Sequence, residues 1–394
     1  MRAKSLRRSF AALLWILVVG LSGVVSASAA VQTIRVSVAS SGAQVRKQSF
    51  PAGVSGDGRL VLFDSDSHRL VKNDTNSRWD VFLHHRVNGR TRLISVAVDG
   101  GSANGASAGV AVTPGGRWVL FNSRATNLTR TPTTSGNVFV RDRHRRVTRL
   151  VSIRPRGGPF TRGAYGVAIS DNGRYVLFET NGAAYLRDIQ LGRTRRLARR
   201  QATRVTPMGL SGDGRFFAYA DYLSGKHLRV HDRATGRTLR VPLPVGWIVF
   251  QRLVFTRDDR YVVFDAIKGS RFAVLRWKRG APRVRNLTGG IADASLDGIS
   301  GDGRFIAFES LNSTIVSGDT NKREDVFRKD TTTGSVERVN LTAAGTQIRS
   351  GIQFPNQVFV SRNGAWVTFA ARTNGTVPGD TNGVNDVFER GPLP

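Results

Sequence analysis

The chain has 394 residues, with 59 Lys or Arg against 28 Asp or Glu and a formal charge of +31. It has no cysteine, which excludes disulfides and thiolate metal sites; residues 31–394 are enough to bury a core without such staples. The positive excess favours anionic partners such as lipid head groups, teichoic-type polymers, acidic polysaccharide or nucleic acid, and equally serves solubility.

Residues 1–30 read as an export signal. Arg2, Lys4, Arg7 and Arg8 form a basic start, an apolar run covers Phe10 to Val25, and Ala27-Ser28-Ala29 offers small-residue cleavage sites before Ala30 or Val31. Arg7-Arg8-Ser9-Phe10 also resembles a twin-arginine signal, so both general and twin-arginine export stay open. The apolar run is too short and too rich in small residues at its end for a membrane span. Without cysteine there is no lipid attachment at the cleaved end. The expected domains are a signal peptide, 1–30, and a single exported domain, 31–394.

From residue 55 onward one pattern recurs seven times, starting at Ser55, Thr113, Ser170, Ser211, Thr256, Ser300 and Ser361. A small hydroxyl residue and a turn rich in Gly, Asp or Asn lead, usually through an arginine, into an apolar run that ends in an aromatic. Ser55-Gly56-Asp57-Gly58-Arg59-Leu60-Val61-Leu62-Phe63 is the first copy. An apolar residue before each hydroxyl marks the end of a first strand. The run after the turn is a second strand that does not alternate, so both of its faces must be covered. A third strand begins at Asp80, Asn137, Ala184, Leu228, Phe272, Asp325 and Asp386. Turns such as Asn88-Gly89 then introduce an alternating fourth strand, predicted over Thr91–Val96 in the first copy. Seven four-stranded antiparallel units, apolar on both faces, predict an all-β seven-bladed propeller. The seventh copy stops after its third strand. Thr33-Ile34-Arg35-Val36-Ser37 parallels Thr91-Arg92-Leu93-Ile94-Ser95, so the segment after the signal is expected to complete the last blade and close the ring.

The turn, arginine and apolar-aromatic run, followed by Asp-Val-Phe, resembles the WD40-like repeat of TolB-type propellers, Ser/Thr-Pro-Asp-Gly-x-x-Ile-x-Phe with a later Asp-Ile-Tyr. The resemblance covers essentially all of 31–394. It implies the fold and leaves function open: the proline survives only at Pro114, Ala365 replaces the arginine in the last copy, and TolB itself has six blades and a separate N-terminal domain. A colicin-import role does not carry over.

Chain direction sorts the loops. Second-to-third and fourth-to-first connections share one face, and the short uniform turns occupy the other. Variable loops on a rigid scaffold are where binding resides. The inserts after Phe63, Phe121, Phe308 and Phe369 are long and belong to blades contiguous in the ring, which predicts an asymmetric rim with a site beside it. Three inserts share Asp-Thr-Asn-x-x-x-Asp: Asp74, Asn76 and Asp80; Asp319, Asn321 and Asp325; Asp380, Asn382 and Asp386. Oxygen ligands at alternate positions resemble part of a calcium loop, although the distal bidentate Glu is missing. The other reading is that these side chains bond their own backbone, the Asp before Val-Phe being structural.

No catalytic residue is assigned. There is no Gly-x-Ser-x-Gly elbow, and His68, His84, His85, His144, His227 and His231 are scattered. His227 and His231 lie about 13 Å apart on a strand, too far for one metal, and read as solvated residues of an outer strand. Asp258 and Asp259 read as turn formers, Trp118 and Trp366 as blade packing. Trp79, inside an insert, is the aromatic that suggests a site. Two basic clusters stand out, Arg141, Arg143, Arg145, Arg146 and Arg149, then Arg193, Arg195, Arg196, Arg199, Arg200 and Arg204. The expectation is a secreted or envelope-associated monomer that binds a protein or an anionic envelope polymer without catalysis. The alternative is a lyase- or lactonase-like enzyme with a divalent ion at the central channel. Nucleic acid is disfavoured, because the basic residues lack the interleaved aromatics of a single-strand groove.

Overall fold

The computed structural model describes residues 30–197, 205–221, 227–291, 293–352 and 357–394. The expected signal segment up to residue 29 and Arg199, Arg200 and Arg204 lie outside them. The compact unit spans Val31–Pro394, and its described residues form seven four-stranded antiparallel sheets. Blade 1 comprises Ser49–Val54, Leu60–Ser65, Asp80–His85 and Arg90–Leu93. Blades 2 to 6 repeat this order, with first strands at Ser107–Val112, Ala164–Ile169, Val205–Leu210, Ile248–Phe255 and Ser295–Ile299. These first strands stand side by side around the centre of the ring.

The second strands explain the ring. In blade 1, Val61, Leu62 and Phe63 are all fully buried, yet they face different neighbours. Val61 and Phe63 pack with Val36 and Val387 of blade 7, while Leu62 packs with Val112 and Val119 of blade 2. A strand pressed between two sheets has no solvent face, so it does not alternate. The aromatics of neighbouring strands stack in register: Phe63 on Phe82, Phe121 on Phe139, Phe308 on Phe327 and Phe369 on Phe388, with centroids 5.6–5.8 Å apart.

The hydroxyl turn is a hydrogen-bonded unit. Ser55 Oγ donates to Asp57 Oδ1 (2.7 Å) and accepts from Leu60 N–H (2.9 Å), and Asp57 Oδ1 accepts from Arg59 N–H (3.0 Å). Ser211 with Asp213, Thr256 with Asp258, Ser300 with Asp302, Ser170 with Asn172 and Ser361 with Asn363 repeat it. Gly58 in this turn has φ +72°, and a Cβ there would lie 2.3 Å from Trp366. The recurring arginine is a staple. Arg117, Arg174, Arg215 and Arg304 pair with Asp142, Asp188, Asp232 and Asp330 at the end of the same blade's third strand, at 2.7–2.8 Å. Each also lies over the ring of the next residue, at 4.7–4.9 Å. These guanidinium bonds hold the carboxyls of Asp142 and Asp330 down to about 2.

Blade 7 comprises Phe359–Val360, Val367–Ala371 and Asp386–Gly391, and its fourth strand is Gln32–Arg35. Gln32 faces Gly391 and Arg35 faces Phe388. Val36 N–H continues the ladder to Val387 O (2.9 Å). Ser37 Oγ then donates to Asp386 Oδ1 (2.7 Å) and accepts from Val387 N–H (3.0 Å). The ring is closed as expected. The fourth strand of blade 1 is shorter than predicted, Arg90–Leu93; beyond it the chain turns back on itself in an isolated antiparallel bridge between Val96 and Ser102.

Among the described residues six first strands carry a β-bulge, and a bulge frees a backbone N–H from the ladder. Gly109 N–H is taken by Asp64 Oδ1 and Gly166 N–H by Asn122 Oδ1, both at 2.8 Å and each from the preceding blade. Blade 7 has Ala370 at that position, and blade 1 correspondingly has Pro51, which presents no N–H.

Candidate functional site

Loop lengths divide the insert-bearing face. Inserts 66–79, 124–136, 311–324 and 372–385 join the second and third strands of blades 1, 2, 6 and 7, whereas blades 3 and 5 use only residues 181–182 and 269–270. A cavity of about 520 Å³ opens on this face beside the inserts of blades 1 and 2. The ring of Trp79 stacks on Phe50 at the head of the blade 1 first strand, with centroids 5.5 Å apart and planes 22° off parallel. Across the cavity stands Tyr165 of the blade 3 first strand, 59% exposed, and exposed Arg124 edges it. Ser135 Oγ and Gln357 Oε1, two buried polar atoms without a protein partner, also line it. Asp64 reaches the wall while bonded to Gly109. Burial pushes its carboxyl up to about 7, Asp80 adds to the rise, and the Gly109 bond opposes it. Trp79 was legible as an insert aromatic. Phe50, Tyr165 and Arg124 were missed, because only the ring brings three blades to one cavity.

A second group of acids is buried between blades 5 and 6. Asp265, Asp297 and Glu309 are 0–2% exposed. Asp265 Oδ1 accepts from the bulge N–H groups of Gln251 and Arg252 (2.9 and 2.7 Å). Arg252 Nη1 donates to the Asp297 carbonyl (2.8 Å). Both Asp297 carboxyl oxygens lack a hydrogen-bond partner. Burial, then the charge of Glu309, holds this carboxyl well above its ordinary range. A carboxyl buried in this way is not presented to a substrate. Among the described residues no three of His, Asp and Glu are grouped to hold a metal ion.

The three Asp-Thr-Asn inserts share a scaffold and differ in one respect. In each, the Asn amide reaches the last Asp and a carbonyl of the neighbouring loop, as Asn76 does with Asp80 (2.8 Å) and Ala103 O (2.9 Å). In blade 6, Arg338 Nη1 lies 3.5 Å from Asp319 and 3.4 Å from Asp325. Gln347 Nε2 donates to the same pair. In blade 7, Arg35 Nη1 lies 3.2 Å from Asp380 and 3.7 Å from Asp386, and Gln44 donates to Asp380 (3.2 Å). At the blade 6 and blade 7 positions where calcium was expected, Asp319, Asn321 and Asp325 and Asp380, Asn382 and Asp386, a guanidinium lies within 3.2–3.7 Å of both carboxylates. Blade 1 has neither donor. Leu93, which faces Phe82 as Arg338 faces Phe327 and Arg35 faces Phe388, replaces the arginine. Ser102, bridged to Val96 as Gln347 is to Leu341 and Gln44 to Val38, replaces the glutamine.

The histidines carry no site. His227 and His231 lie on the third strand of blade 4 and are half-buried, not solvated on an outer strand; Thr238 of the fourth strand faces His231. The His231 ring packs on Phe217 at 4.8 Å and bonds Thr238 Oγ1. Burial pushes His84 down to about 4, with His85 adding to the fall. Trp118 and Trp366 pack between blades as expected, under Gly173 and Gly58. Arg145, Arg146 and Arg149 of the first basic cluster and Arg193, Arg195 and Arg196 of the second are exposed around the third-to-fourth-strand hairpins of blades 2 and 3.

Among the described residues no helix is long and apolar enough to cross a membrane. No family model and no curated protein matches the chain. Solved structures do. An oligogalacturonate lyase from Vibrio parahaemolyticus is 10% identical, with 93% of this chain and 94% of that chain covered and a TM-score of 0.59. The β-propeller domain of the Trilobed protease from Pyrococcus furiosus is 9% identical, with 87% and 95% covered and a TM-score of 0.55. TolB from Acinetobacter baumannii is 15% identical, with 85% and 80% covered and a TM-score of 0.44. At these identities the likeness is one of architecture, and by architecture this chain is a β-propeller.

Proposed function

We propose that the protein is an exported, non-catalytic propeller that holds an anionic polymer of the cell envelope, an acidic polysaccharide chain, on its insert-bearing face. The observation that carries this reading is the cavity walled by the Phe50–Trp79 stack and Tyr165, with Arg124 at its edge. Aromatic faces take the apolar faces of sugar rings, and a guanidinium at the edge matches a uronate carboxylate. The exposed arginines of blades 2 and 3 cluster at hairpins of the opposite face and add only to the general positive field that attracts a polyanion.

The test is retention on immobilised polygalacturonate and on a teichoic-type polymer, with titration calorimetry of soluble oligomers. Binding that weakens as salt rises and falls at least tenfold in Trp79→Ala supports the reading. Retention that ignores both salt and Trp79→Ala removes it, and capture of a protein alone would replace the polymer by a polypeptide partner. Turnover of polygalacturonate by the parent protein would favour a lyase over simple binding.

A further inference from the structure

We infer that blade 1 carries a cation site between Asp74 and Asp80, bound from solution at the place where blades 6 and 7 carry an arginine. The blades are internal copies of one another, and they supply the comparison. Two of the three Asp-Thr-Asn inserts set a positive nitrogen between their paired carboxylates at 3.2–3.7 Å. The third keeps the carboxylates and loses both donors, through Leu93 and Ser102 at the arginine and glutamine positions. The pair stays buried: Asp74 is 4% exposed and Asp80 fully buried. Asp80 is held by Ser95 and Asn76, and Asp74 Oδ1 by Asn76 N–H, whereas Asp74 Oδ2 is buried with no hydrogen-bond partner. Two buried carboxylates without a counter-charge are costly, and the twin inserts show which species neutralises them.

The donor set selects the ion. Oxygen ligands only, from two carboxylates, suit a hard divalent cation that completes its shell with water. Calcium fits this set better than zinc, which favours nitrogen and sulfur. With only two charged ligands the dissociation constant falls at about 0.1–1 mM, the range of extracellular calcium modules. His68 is the nearby titratable group that also acts on Asp74, so it is the intramolecular rival for the role of counter-ion.

Trp79 adjoins Asp80 in the chain and serves as the antenna for terbium luminescence. Tryptophan-sensitised emission should saturate at one equivalent of terbium and be displaced by calcium. It should fall at least tenfold in Asp74→Asn. In Ser102→Gln, which restores the donor present in blades 6 and 7, the calcium concentration needed for displacement should change at least threefold. Leu93→Arg should abolish binding, and its melting temperature should no longer respond to chelator, unlike that of the parent. Calcium-displaceable emission that survives both Asp74→Asn and Leu93→Arg overturns the site, as does its absence in the parent protein. If Leu93→Arg does not fold, the Ser102→Gln titration and the chelator melt of the parent decide. A chelator-insensitive parent whose stability depends on His68 assigns the charge to the imidazole instead.

Discussion

Ser37→Ala tests the claim that the ring is held shut by its two ends. The hydroxyl makes two buried bonds across the closure, to Asp386 Oδ1 at 2.7 Å and from Val387 N–H at 3.0 Å. Alanine leaves the N–H without an acceptor, which costs about 1–3 kcal/mol, and removes a bond to a carboxylate worth about 1.5–3 kcal/mol. Because the two share one atom they are not additive, and about 3 kcal/mol is the expected total. Ser95 makes the same pair of bonds inside blade 1, to Asp80 and from Val81 N–H, so Ser95→Ala should cost as much. Ser152 bonds the neutral Asn137 instead, and Ser152→Ala should cost about half. A ring of this size is best followed by its unfolding rate in urea. About 3 kcal/mol absent from the transition state speeds unfolding roughly a hundredfold. Amide exchange at Gln32–Val36 should rise in Ser37→Ala and remain unchanged in Ser95→Ala. A cost below about 0.5 kcal/mol, or exchange at Gln32–Val36 that responds equally to both variants, would refute the closure argument.

Acidity should shape stability in two opposing ways. Asp142 and Asp330, at about 2 when folded, contribute stability that is present above the unfolded value of about 3.9 and is lost as pH falls toward 2. Burial pushes Glu389 up to about 8 despite Arg86 at 3.1 Å. Its contribution is complete below the unfolded value of about 4.3 and is lost as pH rises through 8. The melting temperature should therefore peak near pH 4–5, and Glu389→Gln should flatten the fall toward pH 8; an unchanged slope in melts from pH 4 to 9 contradicts this. A glycine pair separates backbone from packing. Gly89→Ala, at φ +67° with open space around it, should cost about 1 kcal/mol. Gly58→Ala, at φ +72° with Trp366 2.3 Å from the new Cβ, should cost several times more. Chemical denaturation that finds the two alike would show that Trp366 moves aside freely.

The architecture was legible because each turn is written in local chemistry. A hydroxyl at Ser55, an acceptor at Asp57 and a positive-φ Gly58 close one loop by themselves, and seven copies leave little choice of fold. The closure was legible because Ser37 repeats Ser95. The cavity was not, since Phe50 and Tyr165 share one position of the first strands of blades 1 and 3, where blade 2 has Ala108, and the repeat does not keep an aromatic there. The acids Asp265 and Asp297 were missed because their burial arises between blades. The arginines beside two of the Asp-Thr-Asn inserts were not legible, because the inserts were read alone, without the residues opposite them. Arg35 and Arg338 sit on the fourth strand, and only the register places them between the carboxylates.

The order in which the ribosome delivers the strands sets when the ring can exist. Gln32–Arg35 is made before any blade and Asp386–Gly391 after all the others, yet the two are neighbours in one sheet. For nearly the whole of synthesis the leading segment therefore has no partner, and six blades present two bare flanks to their surroundings. Any stability that depends on closure is therefore gained only when the last strand appears.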